Sequence, residues 1–248
     1  FMAGVAAFAQ SGAYSGYTPY SIFGIGDLED QGSAYNMTMG GVGIASRNNK
    51  YLNMLNPAAV TARDSLAFMA DFSLYQSNKF IAQDGKLSAN NIFNIKDIAI
   101  SFPLFGTSSA MMLGIAPYAS SGYSYSMYLD PEDYETARLI SQAGDVSSTA
   151  SGQGSIYQVF ASAGVTLWNR LSLGVQGIHY FGNINKEFRP RTFTNASLSS
   201  IKSEYGIVLN GNSAKFGLQY EQPLGSDYAL GIGATYLLES RIKGYVTD

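Results

Sequence analysis

From Ser65 onward, apolar side chains recur at every second position, and that period leaves few folds open. Leu66, Phe68, Ala70, Phe72 and Leu74 fall on one face, with Ala67, Met69, Asp71 and Ser73 on the other. The same pattern predicts a strand over about Phe93–Phe105, with Ile98, Ile100, Phe102 and Leu104 together. Another runs from Ala110 to about Ser126 through Met111, Leu113 and Ile115. Further strands follow at Ser155–Trp168, at Leu171–Asn183, in a stretch ending near Glu221, and at Tyr228–Lys243. The connections at 79–92, 127–154 and 184–203 read as long, and those at 106–109, 169–170 and 223–227 as short.

Two all-β folds share such alternation: a soluble sandwich and a membrane barrel. The other face decides between them. It is built of Gly, Ser, Gln and Thr more than Lys or Glu, as in Gln158, Ser162, Gly164 and Thr166, which suits a filled lumen. Charged residues are 13% of the chain, roughly half the soluble average of about 25%. Tyr75, Tyr118, Tyr157, Trp168, Tyr180 and Phe181 lie towards strand ends, as aromatic girdles would. No apolar run reaches the ~18–20 residues of a membrane helix, but a barrel strand needs only ~9–11. The expectation is therefore a transmembrane antiparallel β-barrel. Strict alternation of long and short connections puts the short turns on the periplasmic side, with the N-terminus periplasmic or luminal. Seven strands make half a barrel, and Lys243–Asp248 lacks an aromatic ending, so the chain reads as truncated after the seventh strand.

Ahead of the strands, Gly32–Val60 has no alternation and is rich in Gly, Ala, Met and Asn. Gly40, Gly41 and Gly43 permit positive φ, and Pro57 biases Asn56 away from the α region. An irregular compact segment before a run of strands predicts a plug. The domains expected are a signal-peptide remnant at 1–10, a hatch at 11–64 and the first half of a barrel at 65–248. The first ten residues end in Ala7-Phe8-Ala9, an A-x-A cleavage pattern.

Composition narrows function. The net charge is -3 with no Lys/Arg run, against nucleic acid as a partner. With no Cys and a single histidine, His179, neither a thiolate metal site nor a His-based triad can be built easily. Gly24 and Gly26 lack the strand, third glycine and helix of a dinucleotide loop. Asp130, Glu132 and Asp133 read as the acidic start of a helix around Pro131, rather than a calcium site. His179 reads as a wall or lumen residue. No enzyme, cofactor or metal is expected.

Met39-Gly40-Gly41-Val42-Gly43-Ile44-Ala45 followed by Asn56-Pro57-Ala58-Ala59 and the first strand resembles the FadL-type outer-membrane transporters of hydrophobic compounds. The resemblance implies fourteen strands, about seven of them present, a bacterial outer-membrane location, and passive uptake of fatty-acid-like molecules through a hatch-plugged lumen. Gly40, Gly41, Gly43, Asn56, Pro57 and Ala58 would form the hatch motif. Met37, Met39, Met54 and Phe23 would line a hydrophobic passage, since Met adapts to varied apolar shapes. Partners would be outer-membrane lipid and a hydrophobic small molecule, lipid or detergent in the lumen. The related barrel of the type IX secretion system shares the pattern yet binds cargo. A non-transporting structural or cargo-binding barrel subunit of an outer-membrane assembly such as a type IX secretion machine, associated with other outer-membrane proteins, is therefore the alternative.

Overall fold

The computed structural model describes residues 17–63, 66–83, 86–128, 132, 137, 141, 146–192, 203–225, 228–239 and 242–247. The expected signal remnant and nearly all of the expected helix around Pro131 lie outside these residues.

The described strands form one antiparallel sheet that curls into a half-barrel. They are β1 (Asp27–Leu28), β2 (Met69–Gln83), β3 (Lys86–Pro103), β4 (Ser109–Tyr128), β5 (Val146–Leu167), β6 (Leu171–Thr192), β7 (Ser203–Leu224), β8 (Tyr228–Leu237) and β9 (Lys243–Thr247). The order β2-β3-β4-β5-β6-β7-β8 follows the chain, each strand pairing with the next. β8 pairs with Lys215–Leu224 of β7, and β9 with Gly206–Asn210, so the expected strand Tyr228–Lys243 ends at Leu237 and a separate strand begins at Lys243. Ile242 packs over Gly211 in that gap.

Faces follow the alternation. Phe68, Phe72, Leu74, Ile98, Ile100, Val159, Val165, Leu173, Val175, Phe216, Leu218 and Ile232 are exposed on the outer side. Asp97, Ala99, Ser101, Met112, Ser162, Ser172, Gln176 and Gln219 are buried on the inner side. No second sheet covers the apolar face among the described residues; every described strand belongs to this one. The core lies instead between the inner face and residues 17–63. Leu52, Met54 and Val60 pack with Met112, Ile156, Phe160, Ile178 and Ile184.

The strands outrun their expected limits. The connection expected at 79–92 is mostly strand: β2 and β3 stay paired to Gln83↔Lys86. β5 begins nine residues before Ser155, at Val146, and β6 continues to Thr192. Beyond the apolar belt the outward positions turn polar (Gln76, Asn78, Asn91, Gln153, Asn183, Asn185, Asn210), which erases the period that marks a strand. At the opposite end the turns are tight. Trp168 and Asn169 take φ of 50° and 57°, and Gly106 and Gly225 take φ of 62° and 84°. Asn and Gly tolerate this left-handed region. No described helix is long and apolar enough to cross a membrane, which says nothing against crossing by strands.

One ladder opens. β3 pairs with β4 only over Ile98–Pro103. Past Ile115 the freed edge of β4 is taken by the inner segment: β1 pairs as Asp27↔Ser120 and Leu28↔Ala119, flanked by Thr18 N–H to Gly122 O (2.9 Å) and Glu29 N–H to Tyr118 O (2.9 Å). Pro117, where the β4–β5 register also shifts, has no N–H to give a ladder.

Candidate functional site

The region that organises the molecule is the contact between residues 17–63 and the inner wall. Locally, this segment is held by asparagines. α1 (Ala34–Thr38) ends where Gly40 and Gly41 take φ of 73° and 79°, and Gly41 N–H bonds back to Asn36 O (2.9 Å). The Asn36 amide accepts from Ser33 N–H (3.0 Å) and donates to Asn53 Oδ1 (3.3 Å). Asn53 in turn donates to Gly43 O (2.6 Å) and Ser46 O (3.0 Å). These bonds fold a stretch without regular structure into a fixed shape, because backbone groups that find no ladder must be met by side chains.

Asn56 performs two tasks at once. Its Oδ1 accepts from Ala58 N–H (3.0 Å), capping the 3-10 turn Pro57–Thr61 whose first position is the proline. Its Nδ2 donates to Ile44 O (2.8 Å) and, across to the wall, to Leu218 O (3.1 Å). Pro57, Ala58, Ala59, Val60 and Thr61 are all buried. The wall meets this turn with glycines at inward positions. A Cβ on Gly217 would fall 2.0 Å from Asn56 Oδ1, one on Gly174 2.3 Å from the Pro57 carbonyl carbon, and one on Gly233 2.5 Å from Ile44 O. Only glycine lets the two backbones come this near.

Arg47 adds a polar clamp. It donates to Ser172 Oγ (2.7 Å), Gln219 Oε1 (3.1 Å) and Thr61 Oγ1 (3.2 Å), and pairs with Glu221 (3.4 Å). Burial pulls its pKa below the ordinary arginine value, and the Glu221 carboxylate pulls it back up. Gln219 Nε2 donates to Ile44 O (2.8 Å) and Ser46 O (3.2 Å). Arg63 reaches Ser101 Oγ (2.5 Å) and Ala67 O (3.1 Å), and burial lowers its pKa too. Further along the wall, Lys186 Nζ donates to Ile22 O (2.7 Å), Lys96 Nζ to Asp30 O, and Ser120 Oγ to Glu29 Oε1 (2.7 Å).

The residues expected as a passage do not converge. Met54 is in the core, Met37 lines a cavity of about 620 Å³ with Glu29, Asp30, Tyr75, Lys79 and Lys96, and Met39 and Phe23 are exposed. Of the expected hatch motif, Asn56, Pro57 and Ala58 are buried against the wall, and Gly43 abuts Asn36. Gly40 and Gly41 face open space and serve to end α1. Missed by the sequence were Arg47, Gly174, Gly217 and Gln219. Their signal was one of two cations, Arg47 and Lys50, in an otherwise uncharged stretch, and glycines at inward positions of apolar strands. His179 sits on the outer face of β6, its Nδ1 2.8 Å from Asn212 Oδ1 and its ring against Phe181. Among the described residues no group of three or more His, Cys, Asp or Glu could hold a metal ion.

The interface between residues 17–63 and the inner wall is thus polar, buried and closely packed. The family comparison bears on it directly: the model of the family BamG matches residues 1–247. The chain belongs to the BamG family. BamG is a component of the BAM outer-membrane assembly complex, and membership points to the bacterial outer membrane and to association with other proteins there. No curated protein and no solved structure matches the chain.

BamG membership over residues 1–247 overturns the resemblance to FadL-type transporters. The residues that carried it do local work. Gly40 and Gly41 terminate a short helix, and Asn56-Pro57-Ala58 starts a capped 3-10 turn. Any chain that must make those turns beside a wall draws on the same few residue types.

Proposed function

We propose that this BamG-family chain is a non-transporting structural subunit of an outer-membrane assembly complex. Its apolar outer face stands in the bilayer, its tight turns lie on the periplasmic side, and residues 17–63 close the concave side as a permanent plug. The observation that carries the reading is the seating of the Asn56-Pro57 turn on Gly174 and Gly217, reinforced by Arg47. A hatch that swings aside for each molecule would have to break these buried hydrogen bonds, each costing about 1–3 kcal/mol when a partner is left unsatisfied. Family membership supports the same reading, since it concerns a complex rather than a carrier. The reading assigns no catalysis.

The test is isolation of the tagged chain from detergent-solubilised outer membranes. The other components of the assembly complex should co-purify at fixed stoichiometry. Depleting the chain should lower the amount of other barrels in the outer membrane without changing uptake of a labelled fatty acid. A chain that purifies alone, and whose loss affects only uptake, would refute the proposal.

A further inference from the structure

Where β3 leaves β4, two strand edges are freed, and the chain covers only one of them. β4 past Ile115 is met by the inner segment, which adds β1 to it as Asp27↔Ser120 and Leu28↔Ala119. β3 over residues 86–97 is laddered to β2 on one side, and among the described residues no strand pairs with its other side. The inner segment reaches β3 here through a side chain instead: Lys96 Nζ donates to Asp30 O. Alternate residues of such an edge hold their N–H and C=O groups out in the plane of the sheet. Above this fork β2 and β3 are a ribbon of two strands, a form that is marginally stable by itself.

A cavity lies on each face of the free edge. On the outer side Phe93, Ile95 and Ile98 face Ile115, Pro117 and Tyr157 across a mostly apolar space of about 360 Å³. On the inner side a polar space of about 620 Å³ is lined by Glu29, Asp30, Tyr75, Ser77, Lys79 and Lys96. Successive side chains of a strand point to opposite faces, so a strand added to β3 sends apolar groups into the first space and polar groups into the second. An acyl chain could fill the outer space but offers nothing to a row of backbone donors and acceptors. Water could meet that row but not the apolar space. An extended peptide answers both, by the pairing that open sheet edges invite. The molecule treats the neighbouring edge in this way already, with β1. We infer that the free edge of β3 takes up an extended segment of another protein of the assembly as an added strand, its side chains alternating between apolar ones beside Phe93 and Ile95 and polar ones beside Glu29 and Lys96. The inference rests on the subunit reading above and names a contact within it.

The test compares the full chain alone in detergent with the same chain in the assembly isolated from native membranes. Amide hydrogen exchange over residues 86–97 should slow at least tenfold in the assembly. Exchange over residues 171–183 of β6, paired on both sides, should not change. A photoreactive benzoyl-phenylalanine in place of Phe93, irradiated in the native membrane, should give an adduct with a peptide of another protein of the assembly. The same group in place of Phe216, on the outer side of β7, should not capture that peptide. Unchanged exchange over residues 86–97, lipid adducts alone at Phe93, or equal capture of the peptide from Phe216 would overturn the inference. If the chain is isolated with no other protein, the subunit reading fails and this contact with it. If partners are bound while exchange over residues 86–97 is unchanged, only the edge is wrong.

Discussion

The inner segment meets the two ends of the wall in different ways. Against β5, β6 and β7 the approach is backbone to backbone: the Pro57–Thr61 turn rests where Gly174 and Gly217 carry no side chain. Towards β2 and β3 the approach is more by reach, although β1 also ladders onto the freed edge of β4. Lys96 extends to Asp30 and Ser120 to Glu29, and a cavity of about 620 Å³ remains between them, with a second of about 360 Å³ at the β3–β4 fork. Close approach dominates at the first end; at the second a short backbone ladder is joined by polar arms around open cavities.

Four substitutions break or sharpen that contrast, each read as the unfolding midpoint of detergent-folded protein in urea. The largest effect is expected from Gly174→Val, whose side chain would enter the Pro57 backbone. The loss should reach about 3 kcal/mol, the upper part of the range for overpacking. Asn56→Ala should follow at about 2 kcal/mol, from a lost cap and two carbonyls deprived of a donor. At the other end, Ser120→Ala removes one bond to a carboxylate beside a cavity that can admit water, and should cost no more than about 1 kcal/mol. Smallest is Gly177→Ala, within about 0.5 kcal/mol, because its Cβ has free space on the same strand as Gly174. Equal losses for Gly174→Val and Gly177→Ala would dissolve the contrast, since glycine content rather than close approach would then be the cause.

The belt was legible in the sequence because outward and inner positions differ in kind at every step. Ile98, Ile100, Val159, Leu173 and Leu218 all fell on the outer face as the period required. Above the belt, Asn183, Asn185 and Glu187 face outward while Ile184 and Lys186 face inward, so the same strand loses its sequence mark while keeping its ladder. The end of β8 at Leu237 was not read from the sequence, and neither was the contact of Ile242 with Gly211 on another strand. Within the inner segment, the turn chemistry of Asn56 and Pro57 was plain. Arg47 was not, because its partners Ser172 and Gln219 lie 125 and 172 positions away. The family was misread for a related reason: turn residues report local geometry, which unrelated chains share.

β5, β6 and β7 are 22 residues long each. On the subunit reading proposed above, crossing a bilayer takes about 9–11 residues of tilted strand and leaves about half of every ladder over. At ~3.3 Å per residue, the surplus is some 35 Å of paired backbone standing clear of hydrocarbon. Such a parapet is stiff without any help from lipid.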